Sequence, residues 1–164
     1  MYLKTMLTLL MALALCTAGW AQTKISGTMQ CGKPDPVYTI PVGDRPDHVF
    51  TISKATCTWS KPAEIAGTQA TTSELSSFLE ISGGRGRMRG AGVMTAASGD
   101  KLFSSSQGSA TVKEGALQTA EGTWTYTGGT GKLRGVKGKG TFKAKATPDG
   151  GRTVEVEGEY QLPK

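Results

Sequence analysis

The chain has 164 residues, enough for one domain and too few for two of ordinary size. Nineteen Lys and Arg against thirteen Asp and Glu give a formal charge of +6, and a single histidine leaves a metal or catalytic cysteine without the partners it would need. Apolar content is 37% and there are 23 glycines, a balance that suits tightly curved strands better than a large layered core.

The first 21 residues carry a short positive region at Lys4, an apolar run from Met6 to Leu15, and small residues at Gly19 and Ala21. This is the pattern of a secretory signal peptide cut after Ala21, with a mature domain over 22–164 and a bacterial periplasmic or secreted destination. The run is too short for a transmembrane helix and has no stop-transfer flank. Cys16 raises a lipoprotein reading, which Leu15 argues against because a small side chain is needed there.

Signal removal leaves Cys31 and Cys57, and a cysteine pair in an exported chain reads as a disulfide. Such a bond would tie the first strand to the next long one, and the loop-entropy model gives it about 3–4 kcal/mol. N-glycosylation is excluded because the sequence contains no Asn.

Strands are expected near Lys24–Cys31, Val37–Val42, His48–Trp59, Ala63–Gln69, Arg85–Ala97, Leu102–Val112, Thr119–Tyr126, Leu133–Ala146 and Arg152–Leu162. The segment SELSSFLEI, residues 73–81, is ambiguous between a helical turn and a strand. Toward the C-terminus, Phe142, Ala144 and Ala146 alternate with Lys143 and Lys145. After the turn Thr147-Pro148-Asp149-Gly150-Gly151, Val154 and Val156 alternate with Glu155 and Glu157. Closing that turn symmetrically sets Lys143 opposite Glu155, Lys139 opposite Glu159, and Phe142 opposite Val156 on the inner face. The lysine stripe is therefore interleaved with glutamates, which argues against a nucleic-acid patch. Short strands at regular spacing with no convincing helix predict one antiparallel β-barrel, with a β-sandwich as the alternative.

The run TGGTGKLRGVKGKGTF, followed by a polar turn and EVEGEY, resembles the corresponding segment of the allene oxide cyclase and dirigent barrels. Gly128, Gly129, Thr130 and Gly131 match their G-G-[ST]-G turn, and Gly135, Gly138 and Gly140 fit the spacing after it. The resemblance covers about forty residues, most of its matches being glycines, and implies an eight-stranded, calycin-like barrel with an apolar cavity. The catalytic residues of those families lie outside the matching segment, so none carries over and no cofactor is implied.

Four groups are candidates for a site. Gly128 to Lys132 looks like a phosphate loop, but Leu133 follows Lys132 where Ser or Thr is required, and a strand follows where a helix is required. Asp44, Asp47 and His48 could form a small metal or acid–base cluster, but with Pro41 before it and Pro46 within it the segment is read as a rigid surface loop. Arg85, Arg87 and Arg89 share one strand face, either as an outward stripe or as an anion contact. Trp59, Trp124, Tyr126 and Phe142, with Glu64 as a polar anchor, could line a ligand cavity or simply fill the core. Three functions follow: non-catalytic binding of a small apolar or amphipathic ligand, isomerase or cyclase chemistry in the cavity, or contact of a basic outer face with cell-envelope anions.

Overall fold

The computed structural model describes residues 22–163, and the predicted signal peptide lies outside them. Ten strands follow in chain order: β1 (Thr23–Cys31), β2 (Val37–Pro41), β3 (Val49–Lys61), β4 (Glu64–Ile65), β5 (Thr68–Ser82), β6 (Arg85–Ala96), β7 (Lys101–Lys113), β8 (Ala116–Gly129), β9 (Lys137–Ala146) and β10 (Arg152–Gln161). One short 3₁₀ turn, Gly131–Leu133, interrupts them, and there is no α-helix among the described residues. Eight strands close into an antiparallel barrel in the order β3-β1-β10-β9-β8-β7-β6-β5, with β5 pairing back to β3. Closure leaves no free edge around the barrel wall, which satisfies the ladder groups that an open sheet would expose.

Beyond Cys31 the chain stays beside β3. Gly32 N–H donates to the Thr56 carbonyl and Asp35 N–H to that of Lys54, and β2 then pairs with Val49–Ser53. The wall formed by β2, β3 and β5 accordingly rises past the end of β1. Its outer face carries the exposed apolar side chains of Tyr38, Ile40, Ile52 and Phe78.

The register of the C-terminal hairpin follows from its alternation. Lys143 lies opposite Glu155, Lys139 opposite Glu159 and Phe142 opposite Val156. Outside, Glu159 meets Lys24 at 3.5 Å and Lys139 at 3.8 Å; inside, apolar residues face the axis. A slip of one residue would put Glu155 and Glu157 into the core, so charge and apolar patterns select the same pairing. Cys31 and Cys57 face each other across β1 and β3 and form the disulfide.

Two expectations about elements need correction, and one ambiguity is resolved. The expected strand Ala63–Gln69 is a two-residue strand and a tight turn, because Ala66 and Gly67 adopt φ of 54° and 71° and reverse the chain into β5. Residues 73–81 are strand throughout, inside the 15-residue β5, where Leu75, Ser77 and Leu79 face inward. The strand expected from Leu133 begins only at Lys137, since the 3₁₀ turn and Gly135, at φ 76°, fold the preceding residues across the barrel end.

Candidate ligand cavity

The inward rows of the barrel enclose a cavity of about 750 Å³. Its two ends differ. At one end the β3–β5 and β8–β9 connections bring Ala63, Ile65, Leu133 and Val136 together, each at most 2% exposed, to make a floor. The Tyr160 hydroxyl accepts a hydrogen bond from Ala66 N–H at 3.3 Å, which ties the turn after β4 to β10. At the other end the β7–β8 and β9–β10 turns and the segment after β1 surround a mouth lined by Lys33, Pro34, Leu117, Pro148 and Arg152.

Between floor and mouth the wall is largely apolar. Met88 and Met94 from β6, Leu75 and Leu79 from β5, and Val154 and Val156 from β10 line it. Trp59, Trp124, Tyr126 and Phe142 line it as well, and their rings lie over glycines of neighbouring strands. A Cβ on Gly140 or on Gly158 would come within 2.6 Å of the Trp124 ring, and one on Gly122 within 2.8 Å of Phe142. The glycine spacing of β8–β10 is therefore the space that lets large rings fold flat against the wall while the lumen stays open.

The indole N–H groups of both wall tryptophans are engaged. The Trp59 indole N–H donates to Ser73 Oγ at 3.0 Å, and that of Trp124 to the Thr141 carbonyl at 3.0 Å. Trp124 and Tyr126 pack with ring centroids 4.7 Å apart. Burial raises the pKa of the Tyr126 phenol well above its ordinary value, so this group is a neutral hydrogen-bond donor rather than a base. Among the described residues the lining includes no Asp, Glu or His, and its charged side chains are Lys33 and Arg152, both at the mouth. The lining serines Ser53, Ser73, Ser76, Ser77, Ser104 and Ser106 accordingly have no Asp, Glu or His as general base beside them in the lining.

The other predicted site residues lie elsewhere. Glu64 is exposed on β4, because the tight turn that follows leaves Ile65 as the inward residue. Arg85, Arg87 and Arg89 point outward on β6, with Glu80 across from Arg87 on β5. Gly128 to Lys132 forms the turn into the barrel floor, and Asp100 takes up an amide there: Lys132 N–H donates to this carboxylate at 3.1 Å. A phosphate would meet an acid at that turn. Of the loop cluster, Asp44 and His48 come together and Glu80 joins them from β5, whereas Asp47 makes no side-chain hydrogen bond to either among the described residues. His48 is 7% exposed, with Nδ1 2.5 Å from Asp44 and Nε2 3.3 Å from Glu80, so both ring nitrogens have carboxylate partners. The hydrogen bond from His48 holds the Asp44 carboxyl below its ordinary pKa, aided by Arg45.

Arg152 and Lys33 are the charged lining residues, and neither is among the candidates read in the sequence; Arg152 is the one carried on a strand. Its signal is nonetheless there: the inward series Val154, Val156, Gly158 and Tyr160, extended back by one step, lands on Arg152, and the structure places it in the mouth.

No family model and no curated protein sequence matches the chain. Solved structures similar to it include a pyocyanin demethylase, at 20% identity over 80% of this chain and 97% of that one, with a TM-score of 0.43. The pterocarpan synthase dirigent protein is similar at 14% identity over 88% of this chain and 89% of that one, with a TM-score of 0.48. A protein of unknown function from the DUF3224 family of Shewanella oneidensis MR-1 has the same identity and TM-score, covering 88% of this chain and 99% of that one. The sequence resemblance to dirigent barrels and these likenesses concern fold alone, and the closed barrel stands on this chain's own strand register.

Proposed function

We propose that this protein is an exported carrier that binds a small apolar or amphipathic ligand inside its barrel without transforming it. The observation that carries this reading is the apolar cavity of about 750 Å³, floored at one end and bordered by a polar mouth at the other. Ligand sites of roughly 300–1,000 Å³ with a few polar groups are typical of small-molecule binding. The lining supplies shape and burial but no nucleophile–base pair among its described residues. The Cys31–Cys57 disulfide is consistent with export to an oxidising compartment.

A neutral fluorescent probe, N-phenyl-1-naphthylamine, tests the reading. Saturable enhancement of its fluorescence by the oxidised protein, abolished by Val112→Trp in the upper wall with the circular dichroism unchanged, is the expected result. No binding, or binding indifferent to that substitution, would sink it. A second reading, in which the cavity shapes a reactive substrate as an isomerase or cyclase would, is favoured by Tyr126, a protonated phenol facing the lumen. In that case Tyr126→Phe would lower turnover of a bound substrate by about an order of magnitude or more while leaving its affinity nearly unchanged.

A further inference from the structure

The chemistry of the mouth narrows the ligand class, on the premise that the cavity binds a ligand at all. Arg152 opens β10 and belongs to its inward row, paired with Cys31 on β1 and Ala146 on β9. The Cys31–Cys57 bridge anchors the strand beside it, so the arginine stands on a braced part of the wall rather than on a loop tip. Its side chain is partly buried and lines the lumen. Among the described residues it makes no side-chain hydrogen bond and no ion pair with any carboxylate.

The two nearest acids in sequence, Asp149 and Glu155, are directed elsewhere. Asp149 Oδ1 accepts from the Thr147 hydroxyl at 2.5 Å and from Gly151 N–H at 3.2 Å, and these bonds hold its carboxyl below the ordinary pKa. Glu155 and Glu157 lie outside the barrel, with Glu155 opposite Lys143 of β9. The other charge in the lining is Lys33, which has the same sign. A guanidinium drawn out of water against an apolar wall with no counter-charge is costly, and burial correspondingly lowers the Arg152 pKa. Its planar fork is suited to one partner in particular, a carboxylate that accepts two parallel hydrogen bonds.

The lumen below the arginine is long and uncharged. Along β7 its lining runs from Leu102 to Val112. That span, at about 3.3 Å per residue and the usual tilt of barrel strands, gives roughly 25 Å of depth. An extended aliphatic chain or a row of fused rings fits such a shape, with the floor of Ile65 and Leu102 meeting its far end.

We infer that the barrel takes an apolar carboxylic acid, its tail in the lumen and its carboxylate on the guanidinium of Arg152 at the mouth, with Lys33 adding positive potential at the rim. Three probes with the same tail and different heads test this: decanoate, 1-decanol and decyltrimethylammonium. Each is titrated into the oxidised protein by displacement of N-phenyl-1-naphthylamine and, independently, by native mass spectrometry.

Decanoate should bind about tenfold or more tightly than decanol, since a hydrogen bond to a charged partner is worth at least that ratio, and the cation should bind weakest. Arg152→Gln should erase the preference for decanoate while leaving decanol affinity unchanged. Arg152→Lys should keep part of it, and Arg87→Gln on the outer wall should keep all of it. Equal affinity for decanoate and decanol in the unaltered protein, or a preference that survives Arg152→Gln, overturns the assignment while leaving the cavity as a binding site. If N-phenyl-1-naphthylamine binds but none of the three decyl probes does, this assignment alone falls; if the dye does not bind either, the carrier reading falls with it. Should Arg152→Gln fail to fold, the head-group order of the unaltered protein and the Arg152→Lys variant decide the question.

Discussion

At one end of the barrel Leu133 and Val136 are 0% and 2% exposed, sealed under the turn that leads into β9; at the other the inward row of β10 ends on a partly buried arginine. Both ends are built from the same antiparallel ladder, and what differs is the connection that crosses them. The floor has a 3₁₀ turn and a short hairpin whose apolar residues fold inward, Asp100 and Thr130 holding the turn from outside. The mouth is bordered by the tight glycine turns of β7–β8 and β9–β10 and by the segment after β1, whose Lys33 side chain lies near Gly150. The lesson is that a small barrel becomes a container through its connections, while its wall sets only the width. Apolar burial is tightest at the floor and in the glycine–aromatic wall, the disulfide braces the mouth end, and on the proposed carrier reading ligand selection belongs to the mouth.

Substitutions that separate these regions sharpen the contrast. The largest effect is expected in the wall they share. Gly140→Val would drive a side chain into the Trp124 ring and the backbone of β10, and should cost more than about 3 kcal/mol or prevent folding, as read by chemical denaturation. Next come the floor and the staple. Leu133→Ala should lower stability by about 3 kcal/mol through the cavity it leaves. Replacing both Cys31 and Cys57 by Ala should cost about 3–4 kcal/mol on the loop-entropy model. If the two ends divide their labour as described, Leu133→Ala lowers the melting temperature without changing head-group preference. Arg152→Gln should do the reverse, with a melting temperature unchanged or slightly raised, because an uncompensated charge has been removed.

Acid offers a gentler way to pull the ends apart. Asp44 and Asp149 both sit on mouth-side loops, and both carboxyls are held below the ordinary value of 3.8 chiefly by side-chain hydrogen bonds, from His48 and Thr147 respectively. A carboxyl whose folded pKa is depressed stabilises the fold above its unfolded value, and that contribution is lost as pH falls through the folded one. Hydrogen exchange should therefore show the amide of Gly151, which donates to Asp149, losing protection below that value before the amide of Ala66 at the floor. Simultaneous loss at both ends would contradict the division. The smallest effect belongs to the outer wall: Lys139→Gln removes an exposed pair with Glu159 and should change stability by less than about 1 kcal/mol.

Much of the wall is legible in the chain. The alternation of β9 and β10 carries its own register, because lysines and glutamates outside and Phe142 and Val156 inside agree on one pairing. The cysteine pair is equally readable once an oxidising destination is assumed. The closing strand is not. In β5 the alternation is carried by Ser, Thr and Glu more than by apolar residues, and an irregularity between Ala70 and Thr72 shifts its parity, so no period-two signal spans its length. Glu64 is misread for a related reason: the turn at Ala66 and Gly67 involves a left-handed alanine that no local pattern announces. Alternation points five large aromatics inward, Tyr160 among them, but their number alone does not separate a filled core from a lined lumen. That distinction depends on the rings lying flat over Gly27, Gly122, Gly138, Gly140 and Gly158, which are contacts between strands.

For the two ends to divide their labour in this way, the lumen must be open and hold a ligand in the cell. Native mass spectrometry of the oxidised protein, purified from its own source without detergent, tests this most directly. The expected result is an excess mass released on denaturation, with the released species an organic acid detected as a negative ion. A bare mass, in a protein that also fails to take up N-phenyl-1-naphthylamine, would contradict the central claim.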